Sequence, residues 1–497
     1  MKKTILLLSA ILITGLCHSQ DKSNTIYVRK NANSPEAQAD LEAMNVAFKK
    51  MREMGCENGL AWYYQGAIHN IPNVINGKNA LCSKYQNGTD KLWAWGDCTH
   101  TSTQNASLNF LLWHRMYTWY LEKIIRELSG KKDFALPYWN YGSTEVNDNI
   151  MAAQTRNKSG SLYEAARYSV LNAGKPIPAD EVTQIQLALN ELRTNPSFAG
   201  NAGFSKKLEG SPHGFMHDLI GGYYANPPET YYNQIYQKNM SGLMANVDSA
   251  GFDPIFWLHH SMVDRIWESW DVSSYGQRPT LEELKAHPWP YEFIAPNGDH
   301  VTYTMDEMYK VVFNLDYKYD DLLYESTPEA IASSDQVILT PNESSAKSKI
   351  SFQDSKEKII WEQKIGKIID EKAFVQKVTS KLAKETNKSF KSEANSNIVL
   401  NLDVVVYKEP TDYYTVYLRY PGKEDQYVGV MTFFGVAHDH GTGENHTIGE
   451  NGVKLNFSYY VSDDLLASDG NFDIIIEKKG IGDAKVTLEK ISMAKVN

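Results

Sequence analysis

The chemistry this chain can do is carried by its histidines. His213 and His217 stand four apart in Ser211-Pro-His-Gly-Phe-Met-His217. On a helix both imidazoles would project from one face, about one turn apart. Some forty residues on comes Asp253-Pro-Ile-Phe-Trp-Leu-His259-His260-Ser-Met-Val-Asp264-Arg265-Ile-Trp267, and upstream His114 lies in Phe110-Leu-Leu-Trp-His-Arg-Met-Tyr117, preceded by His69 and His100. Neutral imidazole is the commonest metal-binding side chain and suits zinc, copper, iron and nickel. A lone pair four apart is more often a surface or capping pair. His114 and His260, however, sit among apolar residues, where unpartnered imidazoles are costly and a shared metal satisfies them together. Position 214 is Gly, so the glutamate a zinc protease needs between its two histidines is missing, and cysteines are too sparse for structural zinc.

These residues need helices to position them. Leu41, Met44, Phe48 and Met51 recur at helical spacing after Ser34-Pro35-Glu36. Leu111 to Leu128 reads as a strong helix, and Asp253-Pro254 opens another running to about Trp270, with Pro at its first position. Turn-rich stretches such as 73–97 separate them. Composition shifts after Tyr324. Residues 325–396 read as a linker with a Lys/Glu-rich surface helix, and from 397 six short alternating segments, turn-bounded, argue a β-sandwich to residue 497. The expected fold is a mainly α domain with long loops, over 20–324, plus that β-sandwich.

Composition excludes several classes. The chain has 497 residues, 50 Lys+Arg against 60 Asp+Glu, and 42% hydrophobic residues, which is a folded globular balance. A net charge of −10 argues against nucleic acid or an anionic membrane as main partner. Lys2 and Lys3 precede an apolar run from Ile5 to Cys17, which reads as a secretory signal over 1–19. No stretch is long enough for a membrane span. The expected location is therefore secreted or periplasmic. Once the signal leaves, Cys56, Cys82 and Cys98 remain, an odd number in an oxidising compartment.

The two long histidine motifs resemble the copper-binding signatures of the tyrosinase/catechol oxidase family, also called polyphenol oxidases. Leu136-Pro-Tyr-Trp-Asn140, Arg29 and Tyr317-Lys-Tyr319 match further family elements; in the family the arginine and the tyrosine motif tie the domain's ends together. The resemblance covers about 27–324 and implies a type 3 dicopper centre held in a four-helix bundle. It implies His69, His100 and His114 at the first copper and His213, His217 and His260 at the second, with His259 a packed neighbour. One departure stands out. The family's second ligand usually falls where this chain has Asn105, a poor copper ligand. Cys98-Thr-His100 resembles instead the element in which some members join cysteine sulfur to the ligand imidazole. The resemblance thereby leaves Cys56 and Cys82 to pair and makes Cys98 the thioether candidate.

By the same resemblance the chain would use O2 to oxidise o-diphenols, and monophenols or o-aminophenols as further candidates, to o-quinones. Glu209, four residues before His213, matches a glutamate that could accept the phenolic proton, against the plainer role of a helix N-terminal acid. Phe256 is the choice for a substrate gate over Met240 or Leu243. The sandwich is similar, more loosely, to the shielding domain of latent polyphenol oxidases, with Phe433-Phe434 and the His438, His440 and His446 turn in the matching region; its removal would activate the enzyme. The competing reading is a haemocyanin-like oxygen carrier that shares the copper site.

Overall fold

The computed structural model describes residues 25–71, 81–82, 92–100, 108–234, 236–324, 358–370, 372–378, 397–436, 448–461 and 471–496. The expected signal at 1–19, Asn105, and His438, His440 and His446 lie outside them, as does 325–357 of the expected linker.

The N-terminal domain is helical. Helices span Gln38–Glu53, Trp62–His69, Phe110–Ser129 and Ile255–Asp271, and a kinked run of short segments covers Phe204–Leu208, Glu209–Gly214 and Phe215–Ile220. The Phe110–Ser129 helix stops at Gly130, whose φ of +80° is the left-handed cap that glycine adopts most cheaply. Ile255–Asp271 starts after Pro254, and the Asp253 carboxylate accepts the Ile255 N–H while pairing with buried Arg167. Most side chains of these two helices are buried, including Trp113, Trp257, Trp267 and Trp270, so they form the centre of the domain. Among the described residues no helix is long and apolar enough to cross a membrane.

Small ribbons trim this core. β1 (Tyr27–Arg29) pairs in parallel with β6 (Tyr317–Tyr319), and antiparallel pairs form from β2 (Tyr231–Asn233) with β3 (Lys238–Met240) and from β4 (Tyr291–Ile294) with β5 (His300–Tyr303). The first ribbon closes the domain on itself. Arg29 is fully buried there, donates to Glu122 at 2.8 Å, Tyr319 Oη at 3.1 Å and Asp264 at 3.2 Å, and lies 3.5 Å over the Tyr317 ring.

The C-terminal domain is a two-sheet sandwich. One sheet has the order β11 (Gln426–Met431), β10 (Tyr413–Arg419), β13 (Phe472–Lys479), β8 (Ala373–Val378); the other runs β12 (Val453–Val461), β9 (Asn397–Val406), β14 (Val486–Val496), β7 (Lys358–Ile368). Leu400, Leu402 and Val404 of one sheet share a core with Val416, Ile474 and Ile476 of the other. Over the described part of 325–396 the expected surface helix is replaced by β7 and β8, the edge strands of the two sheets. Lys and Glu give this stretch helical propensity, but pairing with β14 and β13 overrides it. The charges have another use on an edge strand, where they discourage pairing with a further chain.

Candidate metal centre

Each histidine is set by a specific piece of backbone. His69 ends its helix and His114 lies in the first turns of Phe110–Ser129. His213 sits in the wide turn Glu209–Gly214 and His217 in the helix that follows. The two are therefore not on one regular helix as the spacing suggested: Pro212 lacks an N–H, Ser211 is extended, and regular helix resumes only at Phe215. Their rings still end 4.5 Å apart. His259 and His260 come from the second turn of Ile255–Asp271.

The side chains form two adjoining groups. In the first, donor atoms of His69, Cys98, His100 and His114 all lie within 4.8 Å of one another; in the second, those of His213, His217, His259 and His260 do. The groups meet where His114 and His260 stack at 4.4 Å. All seven imidazoles are buried.

Hydrogen bonds decide which nitrogens remain. A carbonyl can only accept, so His114 Nδ1 donates to Phe110 O at 2.8 Å, His213 Nδ1 to Glu209 O at 3.0 Å and His217 Nδ1 to Met244 O at 2.8 Å. That leaves Nε2 of each as the inward lone pair, the arrangement metal-bound histidines usually show. His69 Nδ1, His213 Nε2, His217 Nε2, His259 Nε2 and both ring nitrogens of His260 have no hydrogen-bond partner. Each such buried group costs about 1–3 kcal/mol, against a total stability of about 5–15 kcal/mol for a typical domain. Burial, reinforced by neighbouring imidazoles, pushes His69, His114, His213, His217, His259 and His260 well below the usual histidine range, so they are neutral donors at physiological pH. Two adjoining groups of imidazoles, the first with the Cys98 thiol among them, fit a pair of copper ions.

The remaining expected site residues fall as follows. Glu209 Oε1 lies 3.2 Å from His100 Nδ1, so it holds the imidazole of the other group. Cys98 is a free, buried thiol whose sulfur is 3.3 Å from His114 Nε2, while Cys56 and Cys82 form a disulfide with Cα atoms 5.6 Å apart. Phe256 does not stand at a mouth: it is fully buried, 4.1 Å from the His260 ring and 4.9 Å from that of His69, and floors the site. The ring that covers the site is Phe434 of the sandwich, at 4.3 Å from His217 and 5.9 Å from His213. The likeness to shielding domains rests on Phe433-Phe434 as a pair, and no periodicity in the sequence points either ring to a target. His259 was set aside as a neighbour, yet it lies as near the second group as His260 does, with Nδ1 3.1 Å from the Tyr141 hydroxyl. The adjacent pair of histidines was the available signal.

The sandwich is docked by specific contacts. Thr432 Oγ1 donates to Gly210 O at 2.8 Å, Gln184 Nε2 to Tyr427 Oη at 2.6 Å, and Tyr223 Oη to Glu409 at 3.1 Å. Lys207 Nζ pairs with Glu191 at 3.0 Å and lies 3.5 Å over the Tyr459 ring.

Comparison with known proteins agrees with this geometry. The model of the common central domain of tyrosinase matches residues 60–175 and 172–273, a span that takes in both histidine groups. A tyrosinase of Hahella sp. is 28% identical over 272 residues, covering 51% of this chain and 55% of that protein. A latent chloroplastic polyphenol oxidase of Prunus armeniaca is 28% identical over 237 residues, covering 42% and 37%. The chain thus spans about half or less of these relatives' length. Among solved structures, latent aurone synthase, a polyphenol oxidase, aligns over 96% of this chain and 92% of its own with a TM-score of 0.59 at 17% identity, and latent apple tyrosinase over 95% and 97% with 0.58 at 17%. These last two share the fold of both domains. Its central domain, residues 60–273, matches the tyrosinase family of type 3 copper proteins.

Proposed function

We propose that this chain is a type 3 copper oxidase that uses O2 to convert o-diphenols to o-quinones and is made in a latent form. The observation that carries the reading is the pair of facing, buried imidazole groups with unpartnered ring nitrogens. His69, His100 and His114 would hold one copper and His213, His217 and His260 the other. When bound, the copper pair supplies dioxygen binding and takes up the two electrons a diphenol gives in becoming a quinone.

The chain's own residues do the rest. Carbonyls of Phe110, Glu209 and Met244 orient three imidazoles, and Glu209 fixes His100 while keeping a carboxylate beside the site for the phenolic proton. Phe256 and the tryptophans around it exclude water from below. Phe434 occupies the face of His217, where an incoming phenol ring would otherwise pack, and this supports latency. The Cys56–Cys82 disulfide supports export to an oxidising compartment.

The test is oxygen uptake and quinone formation by the copper-loaded chain, whole and cut ahead of residue 358, on catechol, tyrosine and o-aminophenol. Quinone from the cut chain is expected. Reversible O2 binding by the cut chain without quinone would replace the oxidase by an oxygen carrier.

A further inference from the structure

Trp113, Tyr117 and Tyr120 stand four and three residues apart on the Phe110–Ser129 helix, a stripe that starts beside the candidate ligand His114. Centroid to centroid, the Trp113 ring is 5.0 Å from that of His114 and 6.5 Å from that of His69. Away from the metal centre it meets Phe293 of β4 at 5.9 Å, and Phe293 stacks on Tyr120 at 5.0 Å with planes 13° apart. The Tyr120 hydroxyl is in turn 2.5 Å from that of Tyr303 on β5, a half-buried side chain that reaches the surface. A row of packed rings therefore runs from the first imidazole group to solvent. At its start and end stand indole and phenol, which give up an electron far more readily than phenyl does.

Hydrogen bonds along this row give it a direction. An indole that loses an electron becomes a cation and sheds its N–H proton only to an acceptor; the Trp113 Nε1–H is buried and has none. An oxidised Trp113 thus stays a strong oxidant and passes the electron hole on. Tyr117, 4.7 Å away, donates to the Gln65 carbonyl, a base too weak to keep a phenolic proton. Trp119, 5.1 Å from Tyr120, carries Lys123 Nζ 4.0 Å over its ring, where a second positive charge is repelled. The Tyr120–Tyr303 pair is different. It can lose an electron and a proton together, the proton crossing to the neighbouring hydroxyl and on to solvent, and rest as a neutral phenoxyl radical.

Resting on the copper centre of the oxidase reading, we propose that Trp113, Tyr120 and Tyr303 form an electron path by which the covered centre oxidises one-electron donors that never enter it. With hydrogen peroxide as the oxidant, each passage moves one electron from the Tyr120–Tyr303 pair through Trp113 to the metal centre and releases one proton at Tyr303. An outside donor then returns an electron, and the pair takes back a proton from solvent. Two passages, with two protons, convert one peroxide to two waters and leave two donors oxidised. The sandwich stays docked throughout, because Tyr303 lies on the helical domain. When phenol is absent, the same path draws oxidising equivalents away from the imidazoles.

The test uses the uncut, copper-loaded chain with hydrogen peroxide, with ferrocyanide as the outside donor in one arm and a nitroso spin trap in another. Ferricyanide should form, and peptide mass mapping should find the trap on Tyr303 or Tyr120. Tyr120→Phe and Tyr303→Phe should each slow ferricyanide formation about tenfold or more. Tyr120→Phe should also abolish the adduct at Tyr303. Catechol turnover by the cut chain carrying either substitution should match that of the parent, which shows that fold and copper are intact. Ferricyanide formation unchanged in both variants, or a trap found on neither tyrosine, overturns the path. If the cut chain turns over catechol and no tyrosine is trapped, the path alone fails. If a tyrosine is trapped in a chain that turns over no catechol, the oxidase reading alone fails.

Discussion

Phe434 and His217 lie face to face, ring centroids 4.3 Å apart and planes 17° from parallel, although 217 residues separate them and they belong to different domains. A side chain of the sandwich is thereby the nearest aromatic neighbour of His217, a candidate copper ligand. If the docked state is favoured ~100-fold, apparent activity on bulky diphenols falls by about the same factor. Cutting the copper-loaded chain ahead of residue 358 should therefore raise quercetin oxidation by roughly that amount, read as oxygen uptake before and after cleavage.

The site of the cut matters, because β7 and β8 are part of the sandwich. A chain ending at 324 removes the second domain whole. One ending at 390 keeps β7 and β8 but loses β14 and β13, their pairing partners. Unpaired strands template association. Light scattering should find the shorter chain monodisperse and the longer one aggregated; equal behaviour would contradict the pairing.

Copper content tests the ligand sets. Replacing His69 or His217 by Ala should lower the metal from two ions per chain to one, measured by mass spectrometry of the protein's copper. His260→Ala should do the same, and His259→Ala should keep both ions. The reverse result for the last two would make His259, backed by Tyr141, the third ligand of the second group.

The Arg29 cluster predicts acid sensitivity. Burial alone would raise the Asp264 carboxyl, but Arg115 at 2.5 Å and Arg29 at 3.2 Å, with the Tyr317 and Tyr319 hydroxyls at 2.5 and 2.6 Å, hold it below the usual carboxylate range. A depressed carboxylate contributes stability that is present above the unfolded value near ~4 and is lost as pH falls through its lower folded value. Arg115 also pairs with Glu268, and Glu122 with Arg29 and Arg126, so the charges are mutually balanced. Asp264→Asn should cost ~3–5 kcal/mol by leaving buried arginines unpaired, and should flatten the loss of stability below about pH 4 in denaturant titrations.

Cys98 offers a chemical readout. Its sulfur and the His100 ring share one donor cluster. A thioether between them would leave the intact mass of copper-loaded, oxygen-exposed protein short by a pair of hydrogen atoms. The deficit should vanish in Cys98→Ser; full mass in the native chain, with a thiol that alkylates after unfolding, would show that no bond forms.

Much of the helical domain is legible locally. The apolar run around His114 and the Asp-Pro start before His260 mark buried helices because 3.6-residue periodicity and end signals act within a few residues. The later strands of the sandwich were readable for the same reason, as alternation of period two. β7 and β8 were not, since a Lys/Glu-rich segment has helical propensity and only its partners β14 and β13, more than 90 residues away in sequence, make it a strand.

By itself, then, the sequence determined which residues could bind metal, that helices would carry His114 and His260, and that a β domain follows. Tertiary structure alone decided that Glu209 reaches across to His100, that His259 is as near the second group as His260, and that Phe434 rather than Phe256 covers the site. Those three facts depend on distances between segments far apart in the chain, which local propensity and spacing do not encode.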